Sequence, residues 1–204
     1  MSVLNAGLTL GFGLIISMGP QNLFLIRQGL KKEHPYFVAL ICALCDTALI
    51  LLSTFGVNKL IVAYPIAKTI MTVLGALFLL AYGAKSIYSG IKQWQSPSVM
   101  NLLKASKNFS WTRLLLMTVS FSLLNPQAIV DTMIMIGGAV SQYPEEEQLL
   151  FVAGVISASF IWFAGIATLS SSCARYLNTS TFWSMLEITS GIIMSCFSVV
   201  LLTQ

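Results

Sequence analysis

Charged side chains are scarce in this sequence. Only 9% of its 204 residues are Asp, Glu, Lys or Arg, whereas soluble domains carry about 25%. Hydrophobic residues make up 56% of the chain, and the mean hydropathy is +0.84. This composition argues against a water-soluble fold and predicts an all-α integral membrane protein.

Histidine is nearly absent as well. His34 is the only one and lies in a basic loop, so a Ser–His hydrolase or a His-based metal site has little support. Two acids within apolar segments, Asp46 and Asp131, lack the Gly-x-Gly-Asp pattern expected of an intramembrane aspartyl protease. We therefore predict no enzyme activity, no catalytic residue, no metal and no cofactor.

Six apolar runs fill most of the chain. They lie at about 3–26, 36–55, 66–90, 112–138, 149–171 and 183–202, and each is long enough to cross a hydrocarbon core of about 30 Å. Short loops separate them and leave no room for an extramembrane catalytic domain. The sequence predicts one transmembrane domain, 1–204, of six helices.

Basic residues concentrate in alternate loops, which predicts the orientation in the membrane. One side carries Arg27, Lys31, Lys32, Lys85, Lys92, Lys104, Lys107, Arg113 and Arg175, and the other carries only Lys59 and Lys68. The positive-inside rule then places both termini on the outer side of the membrane. The formal charge of +4 thus reflects orientation in a lipid bilayer rather than binding of nucleic acid.

The two halves of the chain contain a weak repeat. Met18-Gly19-Pro20-Gln21-Asn22, late in helix one, resembles Leu124-Asn125-Pro126-Gln127-Ala128, late in helix four. Because three helices per repeat is an odd number, the second copy must be inverted in the bilayer, as in many secondary transporters. We predict repeat one at about 1–90, a cytoplasmic basic loop at about 91–110 and repeat two at about 111–204.

Both repeats place a proline inside a predicted span. Proline removes a backbone hydrogen bond, which lipid does not replace, so helices one and four are predicted to break at Gly19-Pro20 and Asn125-Pro126. Amide side chains beside these breaks need polar partners away from lipid; they are Gln21, Asn22, Asn125 and Gln127. The clusters predict a central binding site, or alternatively kinked helices with structural amides at an interface.

Two acids lie at membrane depth without a basic residue inside the same helix. Asp46 is about ten residues, or roughly 15 Å, into helix two, and Asp131 follows Pro126 by five residues. Such acids usually carry protons or bind cations, although each could instead be protonated or bonded to the amides. A lysine or arginine cargo offers two cations for Asp46 and Asp131, and a half-helix N-terminus helped by Asn22 or Asn125 suits its carboxylate.

At Ser17-Met18-Gly19-Pro20-Gln21-Asn22 and Arg27-Gln28-Gly29 the sequence closely resembles the lysine exporter family and its arginine-exporter relatives. The similarity runs nearly end to end. Further matching stretches are Cys45-Asp46, Leu124-Asn125-Pro126 with Asp131, and Ser157 to Phe163. The chain departs from the basic-amino-acid branch at Gln127-Ala128-Ile129, where those exporters place a different polar residue and then an aromatic.

The resemblance implies a six-helix inverted-repeat exporter of L-lysine, L-arginine or close analogues, driven by protons or the membrane potential. Asp46 and Asp131 occupy the family's intramembrane acidic positions, and a homo-oligomer is compatible with the pattern. Export of neutral amino acids such as homoserine or threonine is an alternative, although those exporters tend to carry Pro-Gly-Pro-Asn at the first motif. The main substrate, the proton stoichiometry and the oligomeric state are left open.

A different class of function follows from Cys42-x-x-Cys45. Membrane thiol-disulfide electron carriers share the number of helices, but they carry their reactive cysteines in helices one and four, which contain none here. A free cysteine in an apolar helix usually packs as a small hydrophobic residue. Transport is the function that also accounts for the intramembrane acids and the broken helices.

Overall fold

The described part of the chain is built from α-helices. The structure is a computed structural model that describes residues 2–15, 19–54, 65–95, 110–124, 132, 135–174 and 180–203. The helices are α1 (Val3–Ile15), α2 (Pro20–Lys31), α3 (Pro35–Thr54), α4 (Pro65–Gln95), α5 (Trp111–Leu123), α6 (Glu145–Cys173) and α7 (Ser180–Thr203). Residues 135–140 are also helical, and no strand occurs among the described residues. The predicted all-α class is confirmed.

The first predicted span is broken into two helices. α1 ends at Ile15 and α2 begins at Pro20, and the two helix axes differ by 82°. Pro20 occupies the first position of α2, where its missing N–H removes no helical hydrogen bond. The break expected at Gly19-Pro20 is present, whereas Asn125-Pro126, the break expected in helix four, lies outside the described residues.

Several helices are long and apolar enough to cross a bilayer. In the described ranges these are Pro35–Thr54, Glu145–Cys173 and Thr181–Val200, and the bent pair α1–α2 makes a fourth if it counts as one span. α4 has 31 residues and extends about 46 Å at 1.5 Å per residue, which exceeds the hydrocarbon core. The observed bounds of α3, α6 and α7 agree with the predicted runs within a few residues.

Large apolar side chains cover the outside of the helices. Among the most exposed are Leu77 of α4, Leu116 of α5, Leu149 and Leu169 of α6, and Val199 of α7, each more than half exposed. Monomeric soluble proteins seldom expose apolar residues on every side. This surface suits a protein surrounded by lipid.

Two helix pairs pack closely because small residues line their contacts. A Cβ built on Gly11 of α1 would lie 2.8 Å from the Cβ of Ala158 in α6, and Gly7 and Gly154 belong to the same contact. In the α4–α7 pair, a Cβ on Gly191 would lie 2.6 Å from the carbonyl oxygen of Gly83. Lipid-exposed helices associate through such close packing, since lipid removes the usual hydrophobic driving force.

An aromatic cluster joins α2, α4 and α5 at the centre of the bundle. The ring of Phe24 in α2 stacks on Phe121 of α5 with centroids 4.7 Å apart, and Phe78 and Tyr82 of α4 contact Phe121 edge-on at 4.8 and 4.9 Å. Phe24 and Phe121 are almost completely buried. The cluster fixes α2, α4 and α5 around the polar side chains described below.

Adding one methyl group at the α1–α6 contact should destabilise the protein. In Gly7→Ala the new Cβ would overlap the carbonyl oxygen of Phe151, whereas in Gly13→Ala on the same helix it would meet no atom within 4 Å. We expect Gly7→Ala to lose about 1–3 kcal/mol through overpacking, despite the better helix propensity of alanine. Thermal unfolding in detergent measures both variants, and equal melting temperatures would contradict the close contact.

Candidate functional site

Asp46 lies at the middle of the bundle. It is the twelfth residue of the 20-residue helix α3 and is partly buried. Gln21 of α2 and Ser159 of α6 face its carboxylate. Three helices thus bring one acid and two neutral polar groups together at membrane depth.

The two polar neighbours of Asp46 each have a buried polar atom that can form a further hydrogen bond. Gln21 Nε2 and Ser159 Oγ are buried, and neither makes a hydrogen bond of normal geometry within the described part of the chain. Buried polar atoms usually have partners, and five other buried side-chain atoms in the described structure also lack one. Those of Gln21 and Ser159 differ because they face a carboxylate, which makes them candidates for binding a further group. Sequence analysis identified Asp46 and Gln21 as site residues but missed Ser159. The only indication for Ser159 was that it lies in the stretch Ser157 to Phe163, which resembles the lysine exporter family.

A small cavity adjoins the Asp46 carboxylate. It has a volume of about 30 Å³ and is enclosed by α1, α3, α6 and Thr132, with Gly11, Val155 and Ser159 among its lining residues. A cavity of this size holds a water molecule or two but no amino acid. The helices therefore surround Asp46 closely in this conformation, and a larger ligand would have to displace them.

Asn22 stabilises the break between α1 and α2. Its Nδ2 donates a hydrogen bond of 2.9 Å to the carbonyl oxygen of Ile15, the last residue of α1, and its side chain is buried. Gly19 at the start of α2 provides no side-chain cap. The amide thus satisfies a carbonyl left free at the helix end, and the ligand contact predicted for Asn22 stays a prediction.

The remaining predicted site residues cannot be placed. Asp131, Asn125, Pro126 and Gln127 lie outside the described residues. Thr132, the neighbour of Asp131 in sequence, lines the cavity beside Asp46. The roles of these four residues stay predictions.

A buried ion pair links α2 to α7 at the end of the bundle where basic residues concentrate. The Arg27 guanidinium donates to Glu187 Oε2 and, through Nη1, to Ser86 Oγ of α4 at 2.9 Å. Both charged side chains are less than a tenth exposed. Lys31 Nζ lies 3.3 Å from Glu187 Oε1, and Arg27 stacks over the Tyr82 ring at 5.4 Å.

Sequence analysis missed this pair. It used Arg27 only as one of the basic residues that predict orientation. Glu187 is recognisable in the sequence as the only acid of the apolar helix α7. Its partner could not be predicted, because 160 residues separate Glu187 from Arg27. Because removal of one partner leaves the other charge buried, the pair has a strong structural effect.

All four cysteines lie in helices, with Cys42 and Cys45 in α3, Cys173 in α6 and Cys196 in α7. All four are free thiols. Cys42 is buried, and Ser122 Oγ lies 3.9 Å from its sulfur.

No group of three or more His, Cys, Asp or Glu side chains could hold a metal ion among the described residues. His34 packs against the Trp111 ring, and the ring centroids are 4.5 Å apart.

Comparisons with known proteins match nearly the whole chain. A family model described as LysE type translocator matches residues 12–204. A lysine exporter of Corynebacterium diphtheriae is 30% identical over 95% of this chain and 96% of its own. An arginine exporter of Klebsiella pneumoniae is 31% identical over 92% of this chain and 87% of its own length. A putative amino-acid transporter of Aeromonas salmonicida is 32% identical over 92% of this chain and 89% of its own length. No solved structure matches.

Neutralising Glu187 should destabilise the protein strongly. Glu187→Gln leaves Arg27 buried without a counter-charge, and breaking such a pair costs about 3–5 kcal/mol. The double variant Arg27→Leu/Glu187→Leu removes both charges and should recover much of this loss. Melting temperatures in detergent test the pair, with the exposed Glu147→Gln as control; a double variant less stable than Glu187→Gln would contradict it.

Proposed function

The chain belongs to the LysE type translocator family, and we propose that it exports basic L-amino acids, lysine or arginine, across the bacterial cytoplasmic membrane. The relatives reported above are named as exporters or transporters, and none is named as an enzyme. One observation carries the choice of cargo. Asp46, inside the bundle, faces only neutral polar groups among the described residues, so its charge is available to a mobile cation.

Asp46 binds the cargo cation in this proposal. A carboxylate at membrane depth needs a counter-charge, and a lysine ammonium or an arginine guanidinium supplies one. Gln21 and Ser159 face the carboxylate, and because Gln21 Nε2 and Ser159 Oγ make no hydrogen bond of normal geometry in the described structure, they complete the site by hydrogen bonding. Asp131 takes the second cation, and Asn125 with the helix break at Pro126 supports the carboxylate.

The proposed architecture is six helices in two inverted repeats. Here α1–α2, α3 and α4 form repeat one, and α5, α6 and α7 belong to repeat two. A two-fold axis in the membrane plane would exchange helix one with four, two with five and three with six. The axis would then exchange the α1–α6 contact with the α3–α5 contact. The α4–α7 and α3–α6 contacts would each be mapped onto themselves. Only the α1–α6 and α3–α5 pair tests the axis, and both of these contacts are observed, which supports the symmetry.

Export of a cation from a negative interior needs energy input. Moving one charge against the membrane potential costs about 2.3 kcal/mol per 100 mV. Exchange for one inward proton cancels this charge movement, and exchange for two uses the voltage as well. We propose proton exchange, with Asp46 binding cargo and proton in turn. Because the cavity at Asp46 is too small for an amino acid, cargo entry requires the repeats to move around the breaks at Pro20 and Pro126.

Replacing Asp46 by asparagine should abolish coupled export. Asp46→Asn keeps the size of the side chain but removes its charge, and hydrogen bonds to a charged group contribute about 1.5–3 kcal/mol. We expect arginine and lysine efflux from preloaded proteoliposomes to fall roughly 10- to 100-fold, with loss of stimulation by an opposing pH gradient. Glu146→Gln, an exposed acid, is the matched control.

The same assay separates the competing functions. Unchanged gradient-driven efflux in Asp46→Asn would refute the carrier role. Efflux of homoserine or threonine by the wild type, without arginine or lysine efflux, would assign the chain to neutral amino acids. Loss of transport on thiol blocking in an otherwise active protein would favour the electron-carrier alternative based on Cys42 and Cys45.

Ser159 and Ser157 provide a second matched test. Ser159→Ala removes the hydroxyl that faces Asp46, whereas the exposed Ser157 only donates within its own helix, to the carbonyl oxygen of Ala153 at 2.7 Å. We expect Ser159→Ala to raise the apparent KM for arginine efflux roughly 3- to 10-fold and Ser157→Ala to leave it unchanged. Equal effects of the two substitutions would exclude Ser159 from the site.

A further inference from the structure

A second, larger cavity lies at the basic end of the bundle. Its volume is about 250 Å³, and it opens between α2, α4 and α5, with Glu187 of α7 at its wall. Charged side chains dominate the described lining; they are Arg27, Lys31, Lys85, Arg113, Glu33 and Glu187. Four cations against two carboxylates give the lining a net charge of +2.

Two of these cations are left without an acid. Glu187 is already paired with Arg27 and Lys31, and no ion pair joins Lys85 or Arg113 to a carboxylate among the described residues. Both side chains are exposed and come from different helices, α4 and α5. Glu33, the other lining carboxylate, forms no ion pair with them in the described structure, so Lys85 and Arg113 together with Glu33 contribute +1, and the Arg27–Lys31–Glu187 group contributes the other +1.

The start of α5 strengthens the preference for an anion. Ser110 lines the cavity and caps this helix, its Oγ accepting a hydrogen bond of 3.3 Å from the Arg113 N–H. A helix N-terminus carries partial positive charge and free N–H groups, which favour anions. The hydroxyl of Ser89 also lines the cavity and can donate to an oxyanion.

The surroundings of the opening suit a lipid. Trp111, Leu115 and Leu116 of α5 and Tyr88 of α4 are exposed, and each is next in sequence to a lining residue, so they can contact acyl chains or sit at headgroup level, as tryptophan and tyrosine do in membrane proteins. Basic pockets between membrane helices bind anionic headgroups. A cationic amino acid, by contrast, would be repelled by the net charge of +2.

We propose that this basic cavity binds a phosphate-bearing anion, which is the headgroup of an anionic membrane lipid or a soluble phosphate. Lys85 and Arg113 hold the phosphate oxygens, and Ser89 and the start of α5 add hydrogen-bond donors. The site is separate from Asp46 and does not depend on which amino acid is exported.

Binding to the delipidated full-length protein in detergent tests the proposal. Native mass spectrometry measures bound phosphatidylglycerol and phosphatidylcholine for the wild type and for Lys85→Gln/Arg113→Gln. The control, Lys32→Gln/Lys92→Gln, removes the same number of charges from exposed positions outside the cavity lining. We expect the wild type to prefer phosphatidylglycerol, and the cavity variant to bind it about 25-fold more weakly, since each basic residue contributes about fivefold.

Inorganic phosphate, added as a competitor, distinguishes the two sources. Displacement of phosphatidylglycerol by millimolar phosphate supports a soluble anion as ligand, and its failure to compete supports a lipid headgroup. Equal loss of binding in the cavity and control variants would overturn the site, because it would reflect general surface charge. Arginine binding that only the cavity variant loses, without anion binding, would instead make this cavity a cargo entrance and also overturn the proposal.

The experiments distinguish failure of the phosphate-site proposal from failure of the export proposal. Lipid binding is measured without transport, while cargo specificity is measured by efflux in Asp46→Asn and the wild type. A protein that exports arginine but binds no anion refutes only the phosphate site. A protein that binds the anion but moves no basic amino acid refutes only the proposed cargo.

Discussion

Hydrocarbon offers no hydrogen-bond partner to a polar group, and the arrangement of this bundle depends on that constraint. Where the first span breaks, Pro20 begins α2 without an N–H to satisfy and Asn22 bonds the free carbonyl of Ile15. Where charges are buried, Arg27 and Glu187 pair with each other and share Ser86. These polar groups at depth are thus satisfied within the bundle, whereas Gln21 and Ser159 beside Asp46 are among the buried side chains whose polar atoms make no hydrogen bond in the described structure.

The same absence of water explains how the helices associate. Lipid tails are as apolar as leucine, so close packing must replace the hydrophobic effect. Glycines provide it in the α1–α6 and α4–α7 pairs, where backbone atoms of one helix approach those of the other. The centre of the bundle is held differently, by the rings of Phe24, Tyr82 and Phe121. Bulky rings keep α2, α4 and α5 farther apart, and the basic cavity lies beside them.

Much of this arrangement could be predicted from local sequence, because bilayer thickness and proline act locally. The span at α3, the break before Pro20 and the depth of Asp46 all follow from run length and position. Pairing over long distances could not be predicted. Nothing near Glu187 in sequence indicates Arg27, and the small residues of α1 do not reveal that α6 is their partner. Asn22 was recognised as a polar residue at a break, but only its contact with Ile15 shows which group it satisfies.

Asp46 and Glu187 show how two similar acids acquire different roles. Glu187 receives two cations and a hydroxyl from its own protein, so another cation could bind it only by displacing Arg27 or Lys31 and leaving a buried charge unpaired. The described groups that face Asp46, Gln21 and Ser159, are neutral, and their polar atoms keep bonding capacity. A carboxylate surrounded by hydrogen-bond donors but no fixed cation can accept a proton or an ammonium group without breaking an internal ion pair. For this reason we propose Asp46, rather than the ion-paired Glu187, as the acid that binds and releases a cargo.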